Sequence, residues 1–189
     1  MAVRDLLPGI ATGLVLSAAV AATPAVAQQS LASDSSFIQA ASSVGLLQAK
    51  LGKLAEKKGS SPAVVEFGRQ MEADYSKANE ELAAAAKQAG FPAPVLLRQH
   101  QQIFDLFTRT GRSSFDKAYM AEMVRQHRED VRLFRQESES GRVQSLKELA
   151  SRMLPELQQR LTVATQTAGS VGAQVTASSG EPGQGSTGQ

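Results

Sequence analysis

The chain has no cysteine and no tryptophan, and only two histidines and two tyrosines among its 189 residues. Without thiols it can form no disulfide and offer no thiolate to a metal, so packing alone must hold it together. The same absence excludes a cysteine nucleophile and a lipid-anchored cysteine after the N-terminal apolar run. Aromatic residues make up only 5% of the chain, which leaves no stacking platform for bases or sugars. The formal net charge is only +2, with acidic and basic residues interleaved, so no nucleic-acid footprint is present. No run alternates with period two, and no Asn-Gly or Asp-Gly hairpin turn occurs, so no strand is predicted. Phosphate loops of the G-x-x-x-x-G-K type and a serine elbow are also missing.

Both ends read as separate from the folded domain. Residues 1–27 have Arg4 in a short charged start, an apolar run and the triplet Ala25-Val26-Ala27, the pattern cut by signal peptidase. The run Ile10 to Ala22 is too short to span a bilayer, so the expectation is export with cleavage after Ala27. Residues 169–189 are mostly Gly, Ser, Thr and Gln, a composition that predicts a disordered tail. One domain remains, residues 33–168, with no integral membrane segment after cleavage.

Within it, apolar residues recur at three-four spacing in four long stretches. The first runs from Asp34 to about Lys58, with Ser33 or Asp34 as its cap and Gly59 at its end. Gly45 and Gly52 inside it are close-packing positions. Pro62 begins the second, which stops at Gly90 before Pro92 and Pro94. Val95 to Thr108 is a shorter helical piece. Ser113 and Asp116 resemble a capping box for a third long helix through Phe115–Phe134, ending near Gly141. A fourth runs from Val143 to Ala168, with Pro155 predicting a kink. The fold class is therefore all-α, a four-helix bundle with a short crossover helix between long helices two and three.

Each long helix carries one polar residue at or beside its apolar stripe, near mid-length. These are Gln48, Tyr75, His127 and Arg160, and their similar depth predicts a single polar layer. Asp130, one turn after His127, is placed to orient its ring, Glu72 and Asp74 flank Tyr75, and Glu156 precedes Arg160 at ion-pair spacing. A di-iron ferritin centre needs two Glu-x-x-His pairs and further glutamates, and Glu-x-x-His does not occur. A haem would need His127 with Met71 or Met153, but a methionine on an apolar stripe is far more often core. The basic face Arg125, Arg128, Arg132 and Arg135 is interrupted by Glu122 and Glu129, which favours a solvated surface over a membrane-binding one.

The pattern D-x-x-F-I-x-x-A, G-L-x-x-x-x-L-G-K-L-A, V-x-x-F-x-x-x-M-x-x-D, F-D-x-x-Y-x-x-x-M-V-x-x-H and L-P-x-L is carried by residues from Asp34 to Leu157. It resembles a family of exported bacterial proteins of unknown function, often labelled outer-membrane proteins and considered ferritin-like. The resemblance implies a ferritin-like fold, a periplasmic or secreted location and a role in the cell envelope. Members commonly have glutamate at position 48, histidine at 75 and histidine at 160. Here only His127 keeps a ligating type, which implies a degenerate metal-site region. The resulting expectation is a non-catalytic structural or interaction protein with no cofactor, an envelope protein partner and a possible homodimer. The alternative is a weakly bound divalent metal or small ligand at His127.

Overall fold

The computed structural model describes residues 25–175, with side chains described from position 33. It contains α1 (Ala25–Lys58), α2 (Pro62–Gln88), α3 (Arg98–Arg109), α4 (Arg112–Ser140) and α5 (Gln144–Ser170), and among the described residues there is no strand. Helix α1 packs mainly on α2 and α4 mainly on α5, while α1 also meets α4 and α3, and α2 meets α5.

Local chemistry explains where the helices start and stop. Ser61 is extended (φ −80°, ψ 130°) and Pro62 follows at the first helical turn, where its missing N–H has no partner to lose. Gly90 ends α2 with φ +75°, a backbone state that costs glycine nothing, and Phe91 N–H reaches back to the Ala86 carbonyl at 2.8 Å. Gly172 closes α5 in the same way, with φ +66° and Ala173 N–H on Ala168 O at 2.9 Å. Helix α5 continues through Pro155.

These matched ends belong to an internal repeat. Asp34 and Asp116, Gly59 and Gly141, and Gly90 and Gly172 are each 82 positions apart (116 − 34 = 82). The repeat is functional in the packing, because each aspartate caps the other half's turn. Asp116 accepts from Ser60 N (3.0 Å) and Ser61 N (2.7 Å) ahead of α2. Asp34 accepts from Arg142 N (3.1 Å) and Val143 N (2.9 Å) ahead of α5. Both carboxylates thus satisfy N–H groups that the helices leave orphaned.

This corrects two local readings. Asp34 does not cap α1, which already runs from Ala25, and Asp116 does not close a capping box with Ser113, because Gly111 is the N-cap of α4 and no side chain caps it. The ends move as well. Helix α5 extends to Ser170, and Val171, Ala173 and Val175 pack on the core, so residues 169–175 belong to the ordered domain. The short helix starts at Arg98 instead of Val95. The expected signal stretch falls largely on residues 1–24, and the rest of the expected tail on 176–189, both outside the described residues.

The core has two apolar clusters. One holds Leu47, Leu51, Phe67, Met71, Phe115, Tyr119 and Met123, joined by Phe107 of α3. The other holds Phe37, Ile38, Leu82, Phe134, Leu146, Leu149 and Leu157. Each fully buried side chain of this size contributes about 1.5–3 kcal/mol, so the clusters dominate the cohesion of the fold. On the α1–α2 seam, glycines let backbones touch. A Cβ added at Gly52 would sit 2.6 Å from the Gly68 carbonyl, and one at Gly68 would sit 2.7 Å from the Gly52 carbonyl.

Helix α3 lies along α1 in the same direction. His100 and Leu97 N–H meet Ser43, Lys50 lies over the Phe104 ring, and Lys58 Nζ caps the last carbonyls at Phe107, Thr108 and Thr110. From Ser43 to Lys58 that path covers roughly 22 Å at 1.5 Å per residue. Contacts between α2 and α4 also climb in step: Phe67 faces Tyr119, and further along Tyr75 faces His127 and Asp130.

Candidate functional site: a buried polar layer

The four polar residues read from the stripes lie on α1, α2, α4 and α5, and Tyr75 is part of the first apolar cluster. The register places them at one depth. On the α1–α2 seam Gly45 faces Asn79 and Gly52 faces Gly68 and Met71, so Gln48 is level with Tyr75. On the α1–α4 seam Asp34 meets Arg142 and Lys58 lies over Phe115, which puts Gln48 level with His127. Arg160 lies over the Tyr75 ring, 5.4 Å from its centroid. Gln48 and His127 are fully buried and Tyr75 nearly so, while the Arg160 side chain is 11% exposed.

The hydrogen bonds divide the layer into satisfied and unsatisfied groups. Tyr75 O–H donates to Asp130 Oδ2 at 3.0 Å. Arg160 donates from Nε to Asp74 Oδ2 and from a terminal nitrogen to Glu156, both at 3.2 Å. His127 donates from Nδ1 to the Met123 carbonyl at 2.7 Å, the preceding turn of its own helix. Asp130 therefore does not orient the His127 ring. It serves Tyr75 across the bundle, while Asp74 serves Arg160, and Glu72 pairs with Lys53. By contrast, His127 Nε2, both amide atoms of Gln48, one Arg160 terminal nitrogen and the Tyr119 hydroxyl are buried without a partner among the described protein groups.

Electrostatics follow from this burial. Desolvation, with a smaller push from the Arg160 charge, holds the His127 imidazole down to about 4, so it is neutral at pH 7 with its proton on Nδ1. Burial raises the Asp130 carboxyl to about 7, with Tyr75 and Arg160 opposing and Glu129 adding to the rise. The Tyr75 phenol is pushed well up by burial and the Asp130 charge. The layer therefore offers a neutral imidazole, a carboxyl that titrates near neutrality, a phenol and a fixed guanidinium.

That donor set does not fit the metal centre implied by a ferritin-like fold. Such a centre needs several inward carboxylates and paired histidines. The Tyr75 hydroxyl already engages Asp130, and Arg160 sends a permanent cation into the layer that would repel a divalent ion. Among the described residues, no group of three or more His, Asp or Glu side chains is arranged to hold a metal ion.

Other sequence features resolve simply. Arg125 on the basic face of α4 bridges Glu122 at 2.6 Å and Glu129 at 2.8 Å, so its charge is locally neutralised. His100, in the connecting segment, is buried against Ser43 Oγ at 2.6 Å, and Ser43 is itself fully buried. The sequence reading missed Asp34, Asp116 and Glu137 as tertiary groups. The equal spacing from Asp34 to Gly59 and from Asp116 to Gly141 was the available signal.

Fold and layer together define an all-helical protein with a polar interior and no helix long and apolar enough, among the described residues, to cross a membrane. Residues 16–167 match the family described as Domain of unknown function (DUF4142), and the chain belongs to that family. Comparison with curated proteins and with solved structures returns no match.

Proposed function

We propose that the chain is a ferritin-like four-helix bundle with α3 as its crossover helix. We further propose that it is exported to the periplasm or beyond and has a non-catalytic structural or interaction role with an envelope protein. The same-sense contacts of α2 with α4, and the path of α3 along α1, support the crossover topology. The N-terminal charged, apolar and Ala25-Val26-Ala27 segments support export.

The observation that supports the structural reading of the layer is that its phenol and its guanidinium both find carboxylate partners on neighbouring helices. Tyr75 with Asp130, and Arg160 with Asp74 and Glu156, tie α2 to α4 and α5 at one level. A buried polar layer of this kind fixes the register of helices that apolar packing alone would let slide. The unpaired His127 Nε2 and Gln48 amide favour a second reading, a small neutral ligand held at that corner.

His127→Leu separates the two. If the layer is structural, the substitution removes one buried atom without a partner together with the Nδ1 bond to Met123, and leaves stability unchanged to within about 1 kcal/mol in urea denaturation. A loss beyond about 2 kcal/mol would mean that Nε2 has a partner in solution, and would favour the ligand reading.

A further inference from the structure

The start of α3 opens onto a cleft that α1 and α4 complete. Its volume is about 330 Å³, the size of pocket that takes a small metabolite and not a large cofactor. Ala40, Val44 and Leu133 line it with apolar surface, while His100, Asp130 and Arg132 line it with polar groups.

Two of those polar side chains are buried, and each keeps one atom without a partner among the described residues. Ser43 Oγ accepts from Leu97 N–H at 2.8 Å, so its own proton goes to His100 Nδ1 at 2.6 Å. Burial chiefly, then the Arg125 charge, hold the His100 ring below its ordinary range, while Glu129 and Glu122 oppose. The ring is therefore neutral at pH 7, and its single proton sits on Nε2 as a donor. Asp130, only 2% exposed, accepts from Tyr75 on Oδ2 and leaves Oδ1 as an open acceptor.

The surroundings separate the two signs of charge. No side chain caps α3, so the Arg98 and Gln99 N–H groups beside His100 have no acceptor among the described residues. Such a helix start attracts an anion. Arg132 adds a cation that meets no acidic side chain among the described residues, whereas Glu129 is already tied to Arg125 at 2.8 Å. Asp130 is then the one carboxyl of the cleft with an oxygen to spare for a positive group.

We propose that this cleft binds a small zwitterion of the amino-acid type. Its carboxylate is taken by the start of α3, His100 Nε2–H and Arg132, and its ammonium by Asp130 Oδ1. A short apolar side chain lies against Ala40, Val44 and Leu133. A ligand with a carboxylate alone would leave Asp130 uncompensated, and one with an amine alone would leave the α3 donors unpaired. The site is separate from the corner of His127 and Gln48, and it adds a ligand to the structural role proposed for the layer.

Amide 15N–1H spectra of the full chain at pH 8, where Asp130 is ionised, test the site with three matched probes. These are L-leucine, 4-methylpentanoate, which lacks the ammonium, and 3-methylbutylamine, which lacks the carboxylate. Leucine should shift the amides of Gln99, His100, Asp130 and Leu133 saturably and bind about tenfold or more tighter than either half-molecule. Arg132→Ala, an exposed change that leaves the packing intact, should weaken leucine by about threefold or more and leave 3-methylbutylamine unaffected. Asp130→Asn keeps an acceptor for Tyr75 and should abolish the advantage of leucine over 4-methylpentanoate. The absence of saturable shifts at these four amides with leucine would overturn the proposal. So would equal affinity for leucine and either half-molecule, undiminished leucine binding in Arg132→Ala, or a preference for leucine that survives in Asp130→Asn.

Discussion

Gly68→Ala should destabilise the protein, although the same change stabilises an isolated helix by about 1 kcal/mol. The added Cβ would sit 2.7 Å from the Gly52 carbonyl and 2.8 Å from the Ala55 Cβ. These are backbone and near-backbone atoms of α1, so no side-chain rotation relieves the contact, and α1 and α2 must part. That seam carries Leu47, Leu51, Phe67 and Met71, all buried, and separation opens voids among them. Overpacking of this kind costs about 1–3 kcal/mol, and Gly68→Leu should exceed that range. Thermal denaturation with circular dichroism checks both. A rise in Tm for Gly68→Ala would show that helix propensity outweighs the close approach, and would refute this account of the seam.

Asp130→Asn should change how stability depends on pH more than any other single substitution in the layer. Burial raises the Asp130 carboxyl to about 7 from an ordinary value of 3.8. The folded state therefore binds this proton more tightly than the unfolded chain. Its contribution is complete below about pH 4 and is lost as pH rises through 7, a change of about 3–4 kcal/mol. Glu137 acts in the same direction over an overlapping range. His127, held down to about 4, acts in the opposite direction: its contribution is present above its ordinary 6.5 and is lost as pH falls through 4. In Asp130→Asn the Oδ atom still accepts from the Tyr75 hydroxyl, but no proton is exchanged. Urea denaturation between pH 4 and 8 should show a smaller fall than in the wild type, with the variant relatively more stable at pH 8 than at pH 5. Parallel curves for the two proteins would mean that Asp130 stays ionised throughout, in contradiction to its burial beside Tyr75.

The helices themselves were legible because their signals are local. Three-four spacing, Pro62 and the turn glycines place α1, α2, α4 and α5 to within a few residues, apart from the N-terminal extension of α1. Of the four mid-helix polar residues, Tyr75 meets His127 and Arg160 in the structure, because mid-helix position survives folding when the helices are of similar length. The partners within the layer were not legible. Asp130 lies one turn from His127 in the chain, yet the phenol that claims it comes from α2, 55 positions away. Asp34 and Asp116 look like local caps because a carboxylate before a helix usually acts on its own N-terminus. Here each acts across the bundle on the other half's turn, a relation that only the tertiary register creates. The ordered stretch beyond Ala168 was hidden by its composition, since Val171, Ala173 and Val175 are small or isolated apolar residues in a Gly- and Gln-containing segment.

The central proposal is that Tyr75 with Asp130, and Arg160 with Asp74, tie the layer together, and that its donor set does not fit a metal centre. Thermal denaturation of the purified protein in EDTA, and then in excess Fe2+, Mn2+ or Zn2+, tests it most directly. A metal that binds only the folded state at about 100 times its Kd adds about 2.7 kcal/mol, readily visible in Tm. The account predicts the same Tm in EDTA and in each metal, for the wild type and for His127→Ala alike. A metal-dependent rise in the wild type that disappears in His127→Ala would contradict it.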